Sequence, residues 1–312
     1  MTYPANASGD PGEEVNFTYL KQMLVDTVIG MDTYVKNTDY DAAGRVDVRD
    51  QGMSDSSPVI RVDYSYFDWT DLNGQGRLEQ VMSGVMSDLD SLQDLRYTYD
   101  ANGNVLTIDD YKAGNPQTQK FTYDSLDRVH SGQASGGSGG IYTLQYYNYS
   151  SSTGNLSSKA GVSYTYGDSS HKHAVTAMGS DNFSYDENGN QITRDIGGNS
   201  YTLNYDAENR LVSVSGAATA TFVYDGDGNR VKGTVNGTTV IYIGNYFEWT
   251  GSTNTMKTYY YAGSTRVAMR TGSSILNFLL GDHSLVPRDR LGSTSITIDS
   301  SGNYQSELRY YP

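Results

Sequence analysis

The residues best suited to bind a metal are two histidines one residue apart, His171 and His173. On a strand they would lie on the same face. A zinc site needs three or four ligands, and the sequence nearby adds only Asp168. We therefore interpret this segment as an exposed polar loop, and the sequence predicts no metal site.

Two acidic segments superficially resemble calcium-binding loops. In DWTDLNGQGRLE, placing Gly74 at the sixth position of such a loop leaves Trp69 and Gln80 at the first and twelfth positions, where ligands are required. In the segment that starts at Asp225, Arg230 stands where the loop needs glycine. Because Asp, Asn and Gly also favour tight turns, we interpret both segments as turns.

Motifs for nucleophilic or phosphate chemistry are missing from the sequence. There is no Gly-x-Ser-x-Gly elbow, no Gly-Lys-Ser/Thr phosphate loop and no cysteine. The glycine-rich stretch 131–140 is interpreted as a flexible hairpin tip or linker. Carboxylate pairs recur in many copies, whereas a catalytic pair is needed only once. The sequence therefore predicts a protein that is not an enzyme, with no catalytic residues and no cofactor.

The composition favours an all-β chain rich in turns. The 312 residues include 28 tyrosines and 34 glycines but only 7 phenylalanines and 6 prolines. Tyrosine favours strands and glycine favours turns. With 36 acidic and 22 basic residues, the net charge of −14 argues against nucleic acid as a partner. No signal peptide and no membrane-spanning run are predicted.

The carboxylates belong to a phrase that recurs along the chain: Tyr-Asp, a turn containing Gly, Asn or Asp, then Arg or Asn and usually an aliphatic residue. Tyr185, Tyr205 and Tyr224 are 20 and 19 residues apart, a period typical of stacked supersecondary units. Weaker copies surround Tyr19, Tyr66, Tyr147 and Asp299. The predicted structural repeat residues are Tyr40, Asp41, Gly44, Arg45, Tyr99, Asp100, Gly103, Tyr123, Asp124, Arg128, Tyr185, Asp186, Gly189, Tyr205, Asp206, Arg210, Tyr224, Asp225, Gly228 and Arg230.

Each copy is predicted to form a β-hairpin. In YTLNYDAENRLVSVSG, apolar residues alternate on either side of a turn-forming segment. A lone hairpin is marginally stable in water, but adjacent hairpins pair their edges into a sheet. We expect about twenty strands, with 87–95 as the one helical turn. The repeated tyrosines are expected to stack between neighbouring hairpins, while the Arg or Asn after each turn bonds the Asp or a carbonyl of the next copy.

The segments YDAAGRV, YDANGNV, YDAENRL and YDGDGNRV resemble the phrase of the YD-repeat family, which includes Rhs and teneurin-like shell proteins. Near the C-terminus, GDH, LGSTSITIDSSGN and RYYP resemble part of the Rhs-associated core. The resemblance implies tandem hairpins in a spiralling sheet that forms a partial shell or tube. It also implies a YD-repeat array over 1–270, continuous with an Rhs-core-like segment over 271–312.

Two departures limit what the resemblance implies. Residues 284–290, SLVPRDR, separate motifs that adjoin in the family, and the segment fits either an engineered insertion or a natural exposed loop. The sequence ends at Tyr311-Pro312, before the segment where family shells cleave themselves, so self-cleavage is not expected.

The expected function is that of a non-enzymatic β-repeat scaffold, part or all of a YD-repeat shell, acting by enclosure or as an extracellular structural or assembly surface. A carbohydrate-binding or adhesive module is the alternative, because tyrosine rows beside Asp and Asn suit sugars. Expected partners are further copies through β-edges near Phe17–Tyr19 and Leu308–Tyr311, the rest of a longer shell, or glycans. The expected location is extracellular or at a bacterial-type cell surface.

Overall fold

The computed structural model describes residues 1–4, 12–52, 58–112, 116–137, 140–272, 275–281 and 294–307. These residues contain 27 β-strands and one short 3-10 helix, Lys21–Met23, which confirms the all-β fold. The chain divides into two compact units. Unit 1 comprises 1–144 and 256–312, and unit 2 comprises 145–255. No helix in the described ranges is long and apolar enough to cross a membrane.

The first part of unit 1 is an antiparallel meander in which each strand pairs with the next one along the chain. Its strands are β1 (Asn16–Tyr19), β2 (Val25–Ile29), β3 (Thr33–Tyr40), β4 (Val46–Gln51), β5 (Ile60–Tyr66), β6 (Leu78–Val85), β7 (Asp88–Tyr99), β8 (Val105–Asp110), β9 (Gln117–Tyr123) and β10 (Val129–Gly136).

The second part of unit 1 is a shorter antiparallel meander. It consists of β23 (Lys257–Ala262), β24 (Thr265–Thr271), β25 (Ile275–Gly281), β26 (Thr294–Asp299) and β27 (Tyr304–Glu307). The two meanders pack against each other: Gly52, after β4, lies against the ring of Phe278, and Gln51 donates to the Val267 carbonyl. Between them lies an apolar core that includes Ile60 and Ile298, both fully buried.

Unit 2 continues the consecutive antiparallel pairing. It begins within β11 (Tyr142–Tyr149) and contains β12 (Leu156–Lys159), β13 (Val162–Thr165), β14 (Ala177–Met178), β15 (Asp181–Tyr185), β16 (Gln191–Ile196), β17 (Asn199–Tyr205), β18 (Leu211–Gly216), β19 (Ala220–Tyr224), β20 (Arg230–Val235), β21 (Thr238–Ile243) and β22 (Phe247–Trp249). All of unit 2 is described, and its buried hydrophobic side chains are only Tyr147, Leu203, Ala220 and Phe247.

The structure corrects three expectations. The described strands number 27 rather than about twenty. The segment 87–95 is not helical, because it forms much of β7, which pairs with strands on both sides. Residues 131–136 of the glycine-rich stretch belong to β10 rather than to a hairpin tip or a linker. The loop expected at 284–290 and the edge expected at 308–311 lie outside the described residues. The predicted boundary at 270, which falls inside β24, stays a prediction.

Candidate functional site

The repeated turn is closed by its aspartate, as the copy at Asp206 shows. One carboxylate oxygen of Asp206 accepts the backbone N–H groups of Glu208 and Arg210, each at 2.9 Å, and the other accepts Nε of Arg210 at 2.8 Å. The Asp206 N–H donates to the Arg210 carbonyl at 3.0 Å. Asn209 takes a φ of +61°, which brings the chain round between these contacts. A single side chain thus satisfies most donors of a five-residue turn.

Seven copies share this arrangement, with Oδ1 of the aspartate accepting the N–H groups two and four residues later, and Oδ2 accepting the Arg or Asn side chain four residues later. Their aspartates are Asp41, Asp100, Asp124, Asp186, Asp206, Asp225 and Asp299. The third residue after each has a positive φ, and these residues are Gly44, Gly103, Asp127, Gly189, Asn209, Gly228 and Gly302. We call this arrangement the Asp clamp.

The clamps favour the charged form of the aspartate. The side-chain hydrogen bond from Arg128 is the main cause that lowers the pKa of Asp124 to about 2. In Asp206 and Asp225 the backbone N–H of the fourth residue is the main cause that lowers the pKa. Hydrogen bonds to a carboxylate stabilise its anion, so the Asp clamp is complete only when the aspartate is ionised.

A tyrosine before eight of the turns connects neighbouring hairpins. The Tyr205 hydroxyl donates to the carbonyl of Gln191, the first residue of β16, at 3.1 Å. Seven further tyrosines donate at 2.6–2.9 Å to a carbonyl at or near the start of the preceding return strand. The eight donors are Tyr40, Tyr66, Tyr99, Tyr123, Tyr166, Tyr185, Tyr205 and Tyr224. We call this series the tyrosine ladder.

The ladder tyrosines are buried or half-buried. Burial raises the pKa of Tyr66 and of Tyr123 to about 12, and burial is also the largest cause raising the pKa of Tyr205. These hydroxyls therefore stay protonated and donate at neutral pH. Stacking of the ladder rings stays a prediction.

Adjacent turns also touch directly. Asn190 donates through Nδ2 to the side-chain oxygen of Asn209, one copy further on, at 2.8 Å. Asn104 makes the equivalent bond to Asp127 at 2.8 Å. Arg45 donates to the Gly76 carbonyl in the next turn. The fourth residue of the clamp therefore contacts both its own aspartate and the neighbouring copy.

The structure brings the predicted repeat residues together at these turns, with one shift of position. In the copy after Tyr224, the clamp residue equivalent to Arg45 is Asn229 rather than Arg230. Arg230 begins β20, and its guanidinium lies 5.5 Å from the ring centre of Phe222 and 4.8 Å from that of Tyr242. Asp299, a weak copy in the sequence, forms the full clamp.

The copy after Tyr166 departs most from the pattern in unit 2. Gly167 stands at the position of the aspartate. The irregular segment that follows it extends nine residues further, to Thr176. His171 Nδ1 lies 2.9 Å from Asp168, and His173 Nδ1 lies 2.5 Å from the Asn155 side-chain oxygen. The hydrogen bond to Asp168 is the main cause that raises the pKa of His171. Within the described ranges, no three His, Cys, Asp or Glu side chains are grouped so as to hold a metal.

A buried polar cluster in unit 1 was not foreseen from the sequence. The Glu13 carboxylate accepts the hydroxyls of Tyr34 and Tyr260, whose rings stack 3.7 Å apart. Arg270 donates to both hydroxyls and to Asp32. Burial is the largest cause raising the pKa of Tyr34 and of Tyr260, the latter to about 12. Glu13, Tyr34, Asp32, Tyr260 and Arg270 form what we call the polar staple.

The fold and the repeated turn define an all-β YD-repeat architecture, and the comparisons agree. The RHS repeat family model matches residues 185–221. No curated protein matches the chain. Among solved structures, TcdB2-TccC3 matches with a TM-score of 0.70 at 19% identity, over 96% of this chain and 17% of that chain.

Two further structures of the same kind match. TcdB2-TccC3-Cdc42 gives a TM-score of 0.67 at 20% identity, over 96% of this chain and 17% of that chain. A mutant of the Photorhabdus luminescens Tc holotoxin pore matches with a TM-score of 0.62 at 19% identity, over 97% of this chain and 17% of that chain. The resemblance to the YD-repeat family is thereby confirmed. This chain spans about a sixth of the length of those solved chains.

Proposed function

We propose that the chain is a non-enzymatic β-repeat scaffold, a segment of a YD-repeat shell that acts by enclosure or as an extracellular assembly surface. The tyrosine ladder carries this proposal. Eight hydroxyls make the same bond to the preceding copy, so each hairpin supplies the acceptor for the next one. Residues used identically in successive copies serve construction of the sheet, because a reaction needs its catalytic group in one place.

The structural neighbours support the same role through their fold. They are complexes of TcdB2 with TccC3, and this chain matches only a part of the long chain in each. We propose that this chain likewise associates with further shell segments or with copies of itself. In the described residues β1 pairs only with β2 and β27 only with β26, so their outer edges offer backbone groups for β-sheet extension.

Native mass spectrometry with electron microscopy tests this proposal. A scaffold segment should form assemblies whose population rises with protein concentration, and images should show continuous sheet density across copies. A strictly monomeric chain at high concentration, with both outer strands protected from hydrogen exchange, would contradict assembly through β-edges. Turnover of a substrate that is lost on replacing one carboxylate pair would contradict the non-enzymatic role.

Carbohydrate binding or adhesion is the second candidate. One observation favours it: a groove in unit 2 lined by Tyr164, Tyr166 and polar side chains, at the copy that departs from the repeat.

A further inference from the structure

The groove lies beside β13, within unit 2. Its volume is about 540 Å³, within the usual range for small-molecule sites. The walls include Asn155, Tyr164, Tyr166, Asp168 and Lys172. The remaining lining residues are serines, threonines and one glycine, so no aliphatic side chain takes part.

The side chains that line the groove indicate the class of ligand that it would bind. Tyrosine rings offer flat apolar faces, while hydroxyl, amide, carboxylate and ammonium groups offer donors and acceptors in many directions. A saccharide fits, because its ring carries C–H faces that pack on aromatic rings and hydroxyls that need both donors and acceptors.

The groove is held in shape by its own hydrogen bonds. Asn155 donates to the Lys172 carbonyl at 2.7 Å and bonds His173 through its oxygen. Asp168 accepts the Ser170 N–H at 2.8 Å, and the Tyr166 hydroxyl is held by the Leu156 carbonyl at 2.9 Å. These contacts fix the walls before any ligand binds, which lowers the entropy lost on binding.

Other polar groups of the groove remain available. Within the described part of the chain, the Tyr164 hydroxyl and the Lys172 ammonium group have no hydrogen-bond or ion-pair partner. Both groups line the groove. They can therefore bond a ligand without giving up an existing contact.

The groove also coincides with a local loss of the repeat. Regular copies place five residues between the tyrosine and the first residue of the return strand, as between Tyr205 and Leu211. After Tyr166 the turn is longer, and the Asp clamp is replaced by the Asp168–His171 pair. The Tyr-Asp phrase is lost at the same place where the polar groove lies. This coincidence indicates that the segment has a use other than sheet construction.

We propose that this groove binds a saccharide unit, with Tyr164 packing on the sugar ring and Lys172 and Asp168 bonding its hydroxyls. The inference rests on the second candidate function and names the site and ligand class for it. It is independent of assembly through β-edges.

A glycan array followed by titration calorimetry with the best-binding oligosaccharide tests the inference on the whole chain. Tyr164→Ala should weaken binding at least tenfold, and Lys172→Gln should weaken it several-fold. Tyr201→Ala is the matched control, because Tyr201 is a half-buried strand tyrosine of unit 2 outside the groove, and it should bind as the unaltered chain does.

Thermal unfolding and circular dichroism establish that each variant is folded, and Tyr164→Phe removes only the hydroxyl if the alanine variant does not fold. No binding to any saccharide at millimolar concentration overturns the inference. Binding that survives both Tyr164→Phe and Lys172→Gln unchanged also overturns it. Neither result bears on the scaffold, which native mass spectrometry tests separately.

Discussion

At the scale of single residues, the tyrosine of each repeat acts through its hydroxyl as well as its ring. Tyr205 is half-buried, and its hydroxyl donates to the Gln191 carbonyl of the preceding hairpin. The ladder bond therefore makes each tyrosine a contact between copies rather than a contact within one.

Replacing Tyr205 with Phe isolates the contribution of this hydroxyl. The ring is kept and the carbonyl of Gln191 loses a donor, so the free energy of unfolding should fall by about 0.5–1.5 kcal/mol, as measured by urea denaturation. Tyr201→Phe is the control on the same strand, since no hydrogen bond of the Tyr201 hydroxyl is found among described residues. An equal loss in both variants would show that the ladder bond contributes nothing specific.

The ionised aspartates of the Asp clamps predict that the stability of the folded chain depends on pH. Each Asp clamp stabilises the carboxylate, and the pKa of Asp124 in the folded chain is about 2, below its ordinary value of roughly 3.9. An aspartate whose pKa is lowered by folding stabilises the folded chain at pH values above its pKa in the unfolded chain. This stabilisation is lost as the pH falls through its pKa in the folded chain. The contribution of the clamps to stability should therefore be level down to about pH 4 and decrease between roughly pH 4 and pH 2.

Denaturation midpoints measured across this range test the prediction. Asp124→Asn should be less stable at neutral pH and show a shallower acid slope. Asp227→Asn should leave the slope unchanged, because only the Asp227 backbone N–H, and not its carboxylate, takes part in a clamp. Stability independent of pH between 4 and 2 would contradict the role of the clamps.

At the scale of elements, the turns determine where each hairpin reverses. Gly228 lies at the third position after Asp225 with a φ of +83°, while Gly226 in the same turn lies outside the left-handed range. Both have open space where a Cβ would be added. Any difference between their alanine variants therefore reports backbone conformation and not packing.

Gly228→Ala should cost about 1–2 kcal/mol of unfolding free energy, because an L-residue is strained at this φ. Gly226→Ala should be neutral or stabilise by up to ~1 kcal/mol through a less flexible unfolded chain. Urea midpoints of the two variants provide the measurement. Equal effects would mean that the turn relaxes to another conformation.

The elements also show what the sequence could predict. The Tyr-Asp phrase predicted hairpins because its turn chemistry is local, and the Asp clamp uses residues within five positions. The segment 87–95 was wrongly predicted as a helical turn, because its strand conformation comes from pairing with the strands before and after it, Leu95 with Val81 on one side and with Asp110 on the other. Tertiary pairing of this kind overrides local preference.

The two sites missed from sequence differ in their signals. The polar staple has none, because Glu13 and Arg270 are 257 residues apart and neither belongs to a motif. The groove has a signal in the sequence: YGDSSHKH departs from the repeated phrase after Tyr166, and the sequence analysis predicts only an exposed polar loop at His171 and His173. A break in an otherwise regular repeat is therefore a usable signal, whereas a contact between distant hairpins is not.

At the scale of the whole molecule, the compact units are stabilised differently. Unit 1 has two meanders with an apolar core between them, whereas unit 2 buries only four hydrophobic side chains and relies on turns, ladder bonds and paired strands. Unit 1 also carries the polar staple, in which Tyr260 of β23 bonds Glu13 and Arg270 of β24 bonds Tyr260.

The last prediction concerns this staple. Arg270 is 95% buried and bonds Asp32, Tyr34 and Tyr260, so Arg270→Met leaves buried polar partners without their cation. Asp32 is half-exposed, but Tyr34 and Tyr260 are fully buried, and a buried polar group left without its partner costs about 1–3 kcal/mol. Because the staple joins residues from both meanders of unit 1, its loss should also increase hydrogen exchange in β3 and β23, while exchange in unit 2 stays unchanged.

Arg266→Met provides the control on the same strand. Arg266 is half-exposed, lies 4.0 Å from the ring centre of Tyr259 and bonds the Tyr261 hydroxyl, so its loss should cost about 1 kcal/mol or less. A similar small loss for Arg270→Met would mean that the apolar core alone holds the two meanders together. A large loss confined to Arg270→Met would instead show that unit 1 depends on a contact between residues 238 positions apart, Arg270 and Asp32, which no single repeat contains.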